Sequence, residues 1–198
     1  MQPVPDVKHF DADLALARAM DLFWRQGYEA TSVQDLVEEL GLSRSSLYAT
    51  FGDKDTLFQS ALQHYCRAEA GPRHDLLHGP GPVLGAVRAL LEGIAAAPSV
   101  HPDRRGCLVV NAAMERVPAD PATAEAVAAQ LKRFEEALTG ALRRGQERGE
   151  LDRGQDARAL ARFLVAVVQG MRVVGKAGAD PAVLDDVVAV ALGAIRRA

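Results

Sequence analysis

The chain has 198 residues and 21.2 kDa, of which 48% are hydrophobic, 25% charged and 5% aromatic, with a net charge of −3. That length bounds it at one or two domains able to bury a sizeable core, and its wealth of Ala, Leu and Val describes a soluble, largely helical protein. No secretory leader is expected, since MQPVPDVKHFDAD lacks an apolar stretch, and no membrane span, since Arg162, Arg172, Asp185 and Asp186 interrupt the most apolar tracts. Two cysteines, Cys66 and Cys107, do not make a disulfide framework, so a reducing cytoplasm is the expected setting.

Apolar periodicity predicts an all-α fold of about nine helices. The first spans about 11–27, with Leu16, Ala19, Met20 and Phe23 inward and Gly27 as its stop. In the second, Val33, Leu36, Val37 and Leu40 recur at i, i+3, i+4 and i+7 and form one apolar stripe. Thr31 and Ser32 are caps before it, and Gly41 is a stop after it. Ser43 then caps a short third helix anchored inward by Leu47, Tyr48 and Phe51. Its other residues, Arg44, Ser45, Ser46 and Thr50, are small and polar behind a leading arginine. Such a helix can enter a major groove, because nothing bulky blocks its approach.

A fourth helix is predicted over about 54–70, where Leu57, Phe58, Ala61, Leu62 and Tyr65 share a face. GPRHDLLHGPGP (71–82) is expected to break it. His74 and His78, with His64 and Cys66 upstream, are ligand types for a transition metal. Their place among glycines and prolines reads as a solvated loop instead, and no metal or cofactor is expected. A fifth helix follows to about Ala97, and PSVHPDRRG breaks the pattern again. The sixth carries GCLVVNAAMERV, and PADP opens a long seventh ending near Arg148. The eighth covers about 155–176 and the ninth about 181–197, with Pro121 and Pro181 at first turns where a missing N–H costs little.

Residues 1–55 hold five Lys/Arg against ten Asp/Glu, which is unusual for a nucleic-acid binder. Acidic residues turned away from DNA would leave Arg25, Arg44 and Lys54 on the contact side, and the salt dependence of binding should be modest. There is no glycine-rich phosphate loop, nucleophile elbow or zinc-protease helix, so an enzyme is not expected.

From Asp11 to Phe58 the chain resembles the N-terminal domain of TetR/AcrR-type transcriptional regulators. The resemblance is carried by LFWRQGYEATS, by GLSRSSLYATF and by DKDTLF at the start of the fourth helix. It implies a helix-turn-helix DNA-binding domain over 1–55 and an effector-binding and dimerisation domain over 56–198. It implies that Arg44, Ser45 and Ser46 approach base edges. Tyr48 and Thr50 would reach phosphates or neighbouring bases, Lys54 a phosphate, and Thr31, Ser32 and Ser43 the caps and the DNA backbone. The partners implied are double-stranded operator DNA, roughly palindromic, and a second copy of the chain held through the last two helices.

The resemblance also implies an effector cavity enclosed by helices four to seven. Candidate lining residues are Tyr65, Leu91, Ile94, Cys107 and Val110, together with Asn111, Met114, Phe134, Val168 and Met171; they suit a small apolar or aromatic effector. GCLVV with QGMRVVGKAG looks like a subgroup containing electrophile- and oxidant-responsive repressors. Cys107 would there be a modifiable thiol, and a cation from Lys176, Arg104 or Arg105 would stabilise its thiolate. A helical small-molecule or redox sensor that has lost DNA binding is the alternative reading.

Overall fold

The structure, a computed structural model, describes residues 10–100 and 103–196, with side chains of 98–100 excepted. The opening segment through Lys8 and part of the break at 98–106 therefore lie outside the described residues. Nine helices and no strand are present among the described residues: α1 (Ala12–Gln26), α2 (Val33–Leu40), α3 (Arg44–Phe51), α4 (Lys54–His78), α5 (Val83–Val100), α6 (Leu108–Glu115), α7 (Pro121–Glu147), α8 (Ala157–Lys176) and α9 (Pro181–Ile195). No helix is long and apolar enough to cross a membrane, among the described residues.

The chain forms two compact units that divide between His64 and Tyr65, inside α4. In the first unit, α1 buries Ala15, Ala19, Leu22 and Phe23, and α2 buries Leu36 and Leu40. An aromatic knot closes this core. The Phe23 and Phe58 rings meet edge to face at 5.2 Å, and Tyr28 meets Phe58 the same way at 5.0 Å. Gly27 has φ +86° and donates its N–H to the Phe23 carbonyl, so glycine there ends α1 as the sequence suggests.

The second unit is built on one apolar core from the end of α4 with α5, α7, α8 and α9. Leu77, Leu91, Leu138, Leu142, Leu164, Val168, Met171 and Leu192 are all buried in it. Leu77 explains the main departure from the sequence reading. The expected break at 71–82 does not fall at Gly71, because α4 runs through Pro72 to His78 and delivers Leu77 to that core. Burying one leucine contributes about 1.5–3 kcal/mol, which offsets most of the roughly 3 kcal/mol a helix-interior proline costs. His74 and His78 therefore lie one helical turn apart, their rings stacked at 4.0 Å, and not in a loop.

Candidate DNA interface and sensor cleft

The two helices of the DNA-reading pair are each fixed at their start by a side-chain cap. Ser32 and Asp35 form a reciprocal capping box: the Asp35 amide donates to Ser32 Oγ at 3.1 Å, and the Ser32 amide donates to Asp35 Oδ2 at 2.7 Å. These bonds from Ser32 hold the Asp35 carboxyl below its ordinary range. Gly41 then adopts the left-handed conformation (φ +66°), where it closes α2 with its N–H on the Val37 carbonyl. Ser43 starts α3 by accepting the Ser46 amide at 3.1 Å, and its oxygen also lies 2.9 Å from the hydroxyls of Ser45 and Ser46. Leu47 is the one fully buried side chain of α3.

The outer side of α3 is open. Arg44, Ser45, Thr50 and Tyr48 are exposed, Tyr48 by 42%. Among the described residues Arg44 forms no ion pair, so its fork of donors is available to a base edge. Tyr48 is therefore not the inward anchor expected, since only the i and i+4 positions Leu47 and Phe51 turn toward the unit's core. Lys54 lies at the start of α4 with its ammonium 4.1 Å from the centre of the Tyr28 ring. Asp53 does not neutralise it, because its carboxylate caps α4 by accepting the Thr56 amide at 2.8 Å, and that bond lowers its pKa.

One expectation fails here for a steric reason. Thr31 is fully buried and donates its hydroxyl to the Gly27 carbonyl at 2.6 Å, so it braces the α1–α2 turn and has no surface to offer DNA. Arg25 stays partly exposed and pairs with Asp21 at 3.0 Å and Glu39 at 3.1 Å, so part of its charge is met within the unit.

In the second unit the expected lining residues separate into four groups. Leu91, Val168 and Met171 are core, and Ile94 packs against that core. Asn111 and Val110 are half-buried; Asn111 bridges by donating to the Arg105 carbonyl at 2.9 Å and accepting Lys176 Nζ at 2.8 Å. Met114 is 79% exposed, because α6 turns Leu108, Val109 and Ala112 inward and places position 114 on the opposite side. Tyr65, Cys107 and Phe134 gather around one cleft. Tyr65 and Phe134 line a narrow cleft with Arg73, Val109, Gln130, Leu131, Gln169 and Arg172. Cys107 joins it by accepting the Tyr65 hydroxyl at 3.5 Å. Its free volume is about 10 Å³, room for about one water.

The cleft is far more polar than the apolar pocket expected. The Arg172 guanidinium contacts Cys107 Sγ with one nitrogen and Glu69 Oε2, at 3.1 Å, with another. Arg73 pairs with the same Glu69 oxygen and lies 5.2 Å from the Phe134 ring centre. The cation on Cys107 is thus Arg172 and neither Lys176, Arg104 nor Arg105. Lys176 sits one turn further along α8, where its aliphatic stem fills the space beside Gly106, and Arg105 pairs with Asp103. Burial, then the nearby Cys107 and Glu69, raises the Tyr65 pKa, so its phenol stays a proton donor at neutral pH. Burial lowers the Arg172 pKa, but Cys107, Tyr65 and Glu69 together outweigh it, and Arg172 stays a cation. The Cys66 thiol is pushed up to about 11 by burial and is inert at neutral pH. Both cysteines are free thiols. Among the described residues no three His, Cys, Asp or Glu side chains converge as metal ligands would.

Sequence reasoning missed Glu69, Arg73, Gln130, Gln169 and Arg172. Two signals were present. Glu69 and Arg73 are spaced i, i+4 on one helix, and Arg172 interrupts an otherwise apolar face of α8.

Comparison with known proteins agrees with this geometry in both units. The model of bacterial regulatory proteins of the tetR family matches residues 15–61, and that of a tetracyclin repressor-like C-terminal domain matches residues 84–191. The chain is 38% identical over 191 residues to the uncharacterized HTH-type transcriptional regulator YezE of Bacillus subtilis, covering 95% of this chain and 97% of that one. It is 34% identical over 174 residues to the HTH-type transcriptional repressor ComR of Escherichia coli, covering 87% and 83%. Among solved structures, a cysteine mutant of the TetR family regulator CifR, complexed with 26-bp double-strand operator DNA, superposes with a TM-score of 0.84 at 36% identity, over 98% of this chain and 100% of that one. The chain belongs to the TetR family of DNA-binding transcriptional regulators.

Proposed function

We propose that this regulator is a repressor that binds a roughly palindromic operator as a homodimer and leaves it when a small molecule or an oxidant acts on the second unit. The observation that carries the reading is the open outer face of α3. Arg44 is exposed there, and the helix is held in place by the Ser43 cap beneath it. In this reading Arg44, Ser45 and Ser46 meet base edges, Tyr48 and Thr50 reach phosphates, and Ser32 and Lys54 fix register on the backbone. The operator complex of CifR and the name of ComR support DNA binding and repression by analogy. A DNA-partnered regulator works in the cytoplasm.

The second copy would dock on α8 and α9, where Phe163, Val173, Val174, Val183 and Val190 are exposed although large and apolar. Small-molecule sensing is assigned to the cleft on α4, α7 and α8. Cys107 adds an oxidant response, with the Arg172 guanidinium in contact with its sulfur. The signal would travel along α4, which carries Lys54 at one end and Tyr65, Glu69 and Arg73 further on. A sensor without DNA binding is not favoured, because Asp53 and Asp55 do not close off Arg44.

The test is binding of the purified protein to its own upstream DNA across a salt series. Arg44→Ala should weaken specific binding by about tenfold to a hundredfold, the weight of a bidentate contact to guanine. Oxidant should release the wild type and leave Cys107→Ser bound. Binding that ignores both sequence and Arg44 would sink the regulator reading, and equal release of Cys107→Ser would sink the oxidant arm.

A further inference from the structure

Two guanidiniums, Arg73 and Arg172, sit almost out of water in the cleft, with side chains 15% and 13% exposed, and they share one oxygen of one carboxylate, Glu69. Buried cations need anions at hydrogen-bond distance, because an unpaired charge in a low-dielectric site is strongly destabilising. Glu69 is the more exposed partner at 34%, so it can swing into water at little cost while the two arginines cannot. Phe134, Val109 and Leu131 form an apolar wall next to the pair, and Gln130 and Gln169 offer polar edges. The free space is only about 10 Å³, so nothing larger than a water enters by simple addition.

We propose that the cleft receives the carboxylate of a small organic acid, which takes the place of Glu69 between Arg73 and Arg172. This rests on the reading of the second unit as the sensor and names the chemical class of its ligand. One carboxylate oxygen is what the two guanidiniums already share, so the ligand's head reproduces the bonds Glu69 gives up, and its apolar body takes the space of the displaced Glu69 stem beside Phe134. The exchange has a structural consequence that addition would lack. Glu69 on α4 is tied to Arg172 on α8 across 103 residues of sequence. A ligand that replaces Glu69 cuts that one tie between α4 and α8, while the cleft keeps its charge balance.

The test is calorimetric titration of the purified wild type with sodium benzoate, its neutral isostere benzamide, and sodium sulfate, all at one ionic strength in chloride buffer. Benzoate should bind saturably, and benzamide and sulfate should not. Glu69→Gln removes the internal competitor and should tighten benzoate binding by about tenfold, the value of a hydrogen bond to a charged group. Arg73→Gln should weaken it by a similar factor. The comparison of benzoate with benzamide needs no variant, so misfolding of Arg73→Gln does not blunt the test. Benzamide or sulfate binding as well as benzoate overturns the proposal, and so does weaker benzoate binding by Glu69→Gln. Operator binding is measured on the same preparation without acid. Specific DNA binding with no response to carboxylate overturns this inference alone, and loss of specific DNA binding overturns the regulator reading itself.

Discussion

The hydroxyl oxygen of Ser43 accepts the Ser46 amide at 3.1 Å, and that one bond orients the start of the helix that presents Arg44. Ser43→Ala should cost about 1 kcal/mol and lower the melting temperature by about 2–4 °C. Ser43→Asp separates the two roles of the position. It keeps the cap, so thermal melting should match wild type, but it brings a negative charge against phosphate, so DNA affinity should fall. Equal DNA binding by Ser43→Asp would mean that α3 does not face DNA. Single residues are also where the sequence was hardest to read. Ser43 and Gly41 announced themselves, because capping and left-handed closure are local and depend on residue type. Arg172 and Lys176 are a turn apart on the same helix, and nothing local says which one meets Cys107; the packing of the Lys176 stem over Gly106 decides it. Thr31 misled for the same reason, since a threonine before a helix suits a cap and a buried brace equally well.

At the scale of elements, periodicity placed eight of the helices within a few residues of their ends, and the exceptional one is α4. Gly71 and Pro72 are local signals for a stop, while Leu77 reaches a core assembled from α5, α7, α8 and α9, which lie far along the chain. That balance is tertiary and invisible to a reading of neighbours. The α7 start shows a local device that has a measurable pH signature. Asp120 accepts the Thr123 hydroxyl at 2.5 Å, an Arg116 nitrogen at 2.6 Å and the Ala122 amide at 3.0 Å. The Thr123 bond first, then Arg116, holds its carboxyl at about 2 instead of 3.8. A depressed pKa stabilises the fold above the ordinary value and loses that contribution as pH falls toward the folded one. Asp120→Asn should therefore melt lower than wild type at pH 6, and the gap should close between about pH 4 and pH 2. Thermal melts of the two proteins over that range check it, and a gap that persists at pH 2 would assign the loss to packing.

For the whole molecule, the apolar residues left in water on α8 and α9 carry the prediction. Val190 is 71% exposed and Val183 46%. Val190→Glu combined with Val183→Glu should leave each chain folded, with unchanged helical circular dichroism, and sediment as a monomer where the proposed wild-type assembly sediments as a dimer. A double variant that stays dimeric would place the second copy on another face. The all-α class, the reading pair and the apolar excess of the last helices were legible because each rests on repeating patterns. The polar character of the cleft was not, because Glu69, Arg73 and Arg172 come from two helices 103 residues apart and only folding brings them together. The bare valines also set the conditions under which this regulator can act. If two chains must join before two reading heads reach two half-sites, occupancy of the operator rises with the square of chain concentration when chains are scarce. A cell that halves its stock of this protein then loses about three quarters of its grip on the promoter, so copy number is itself an input to the switch.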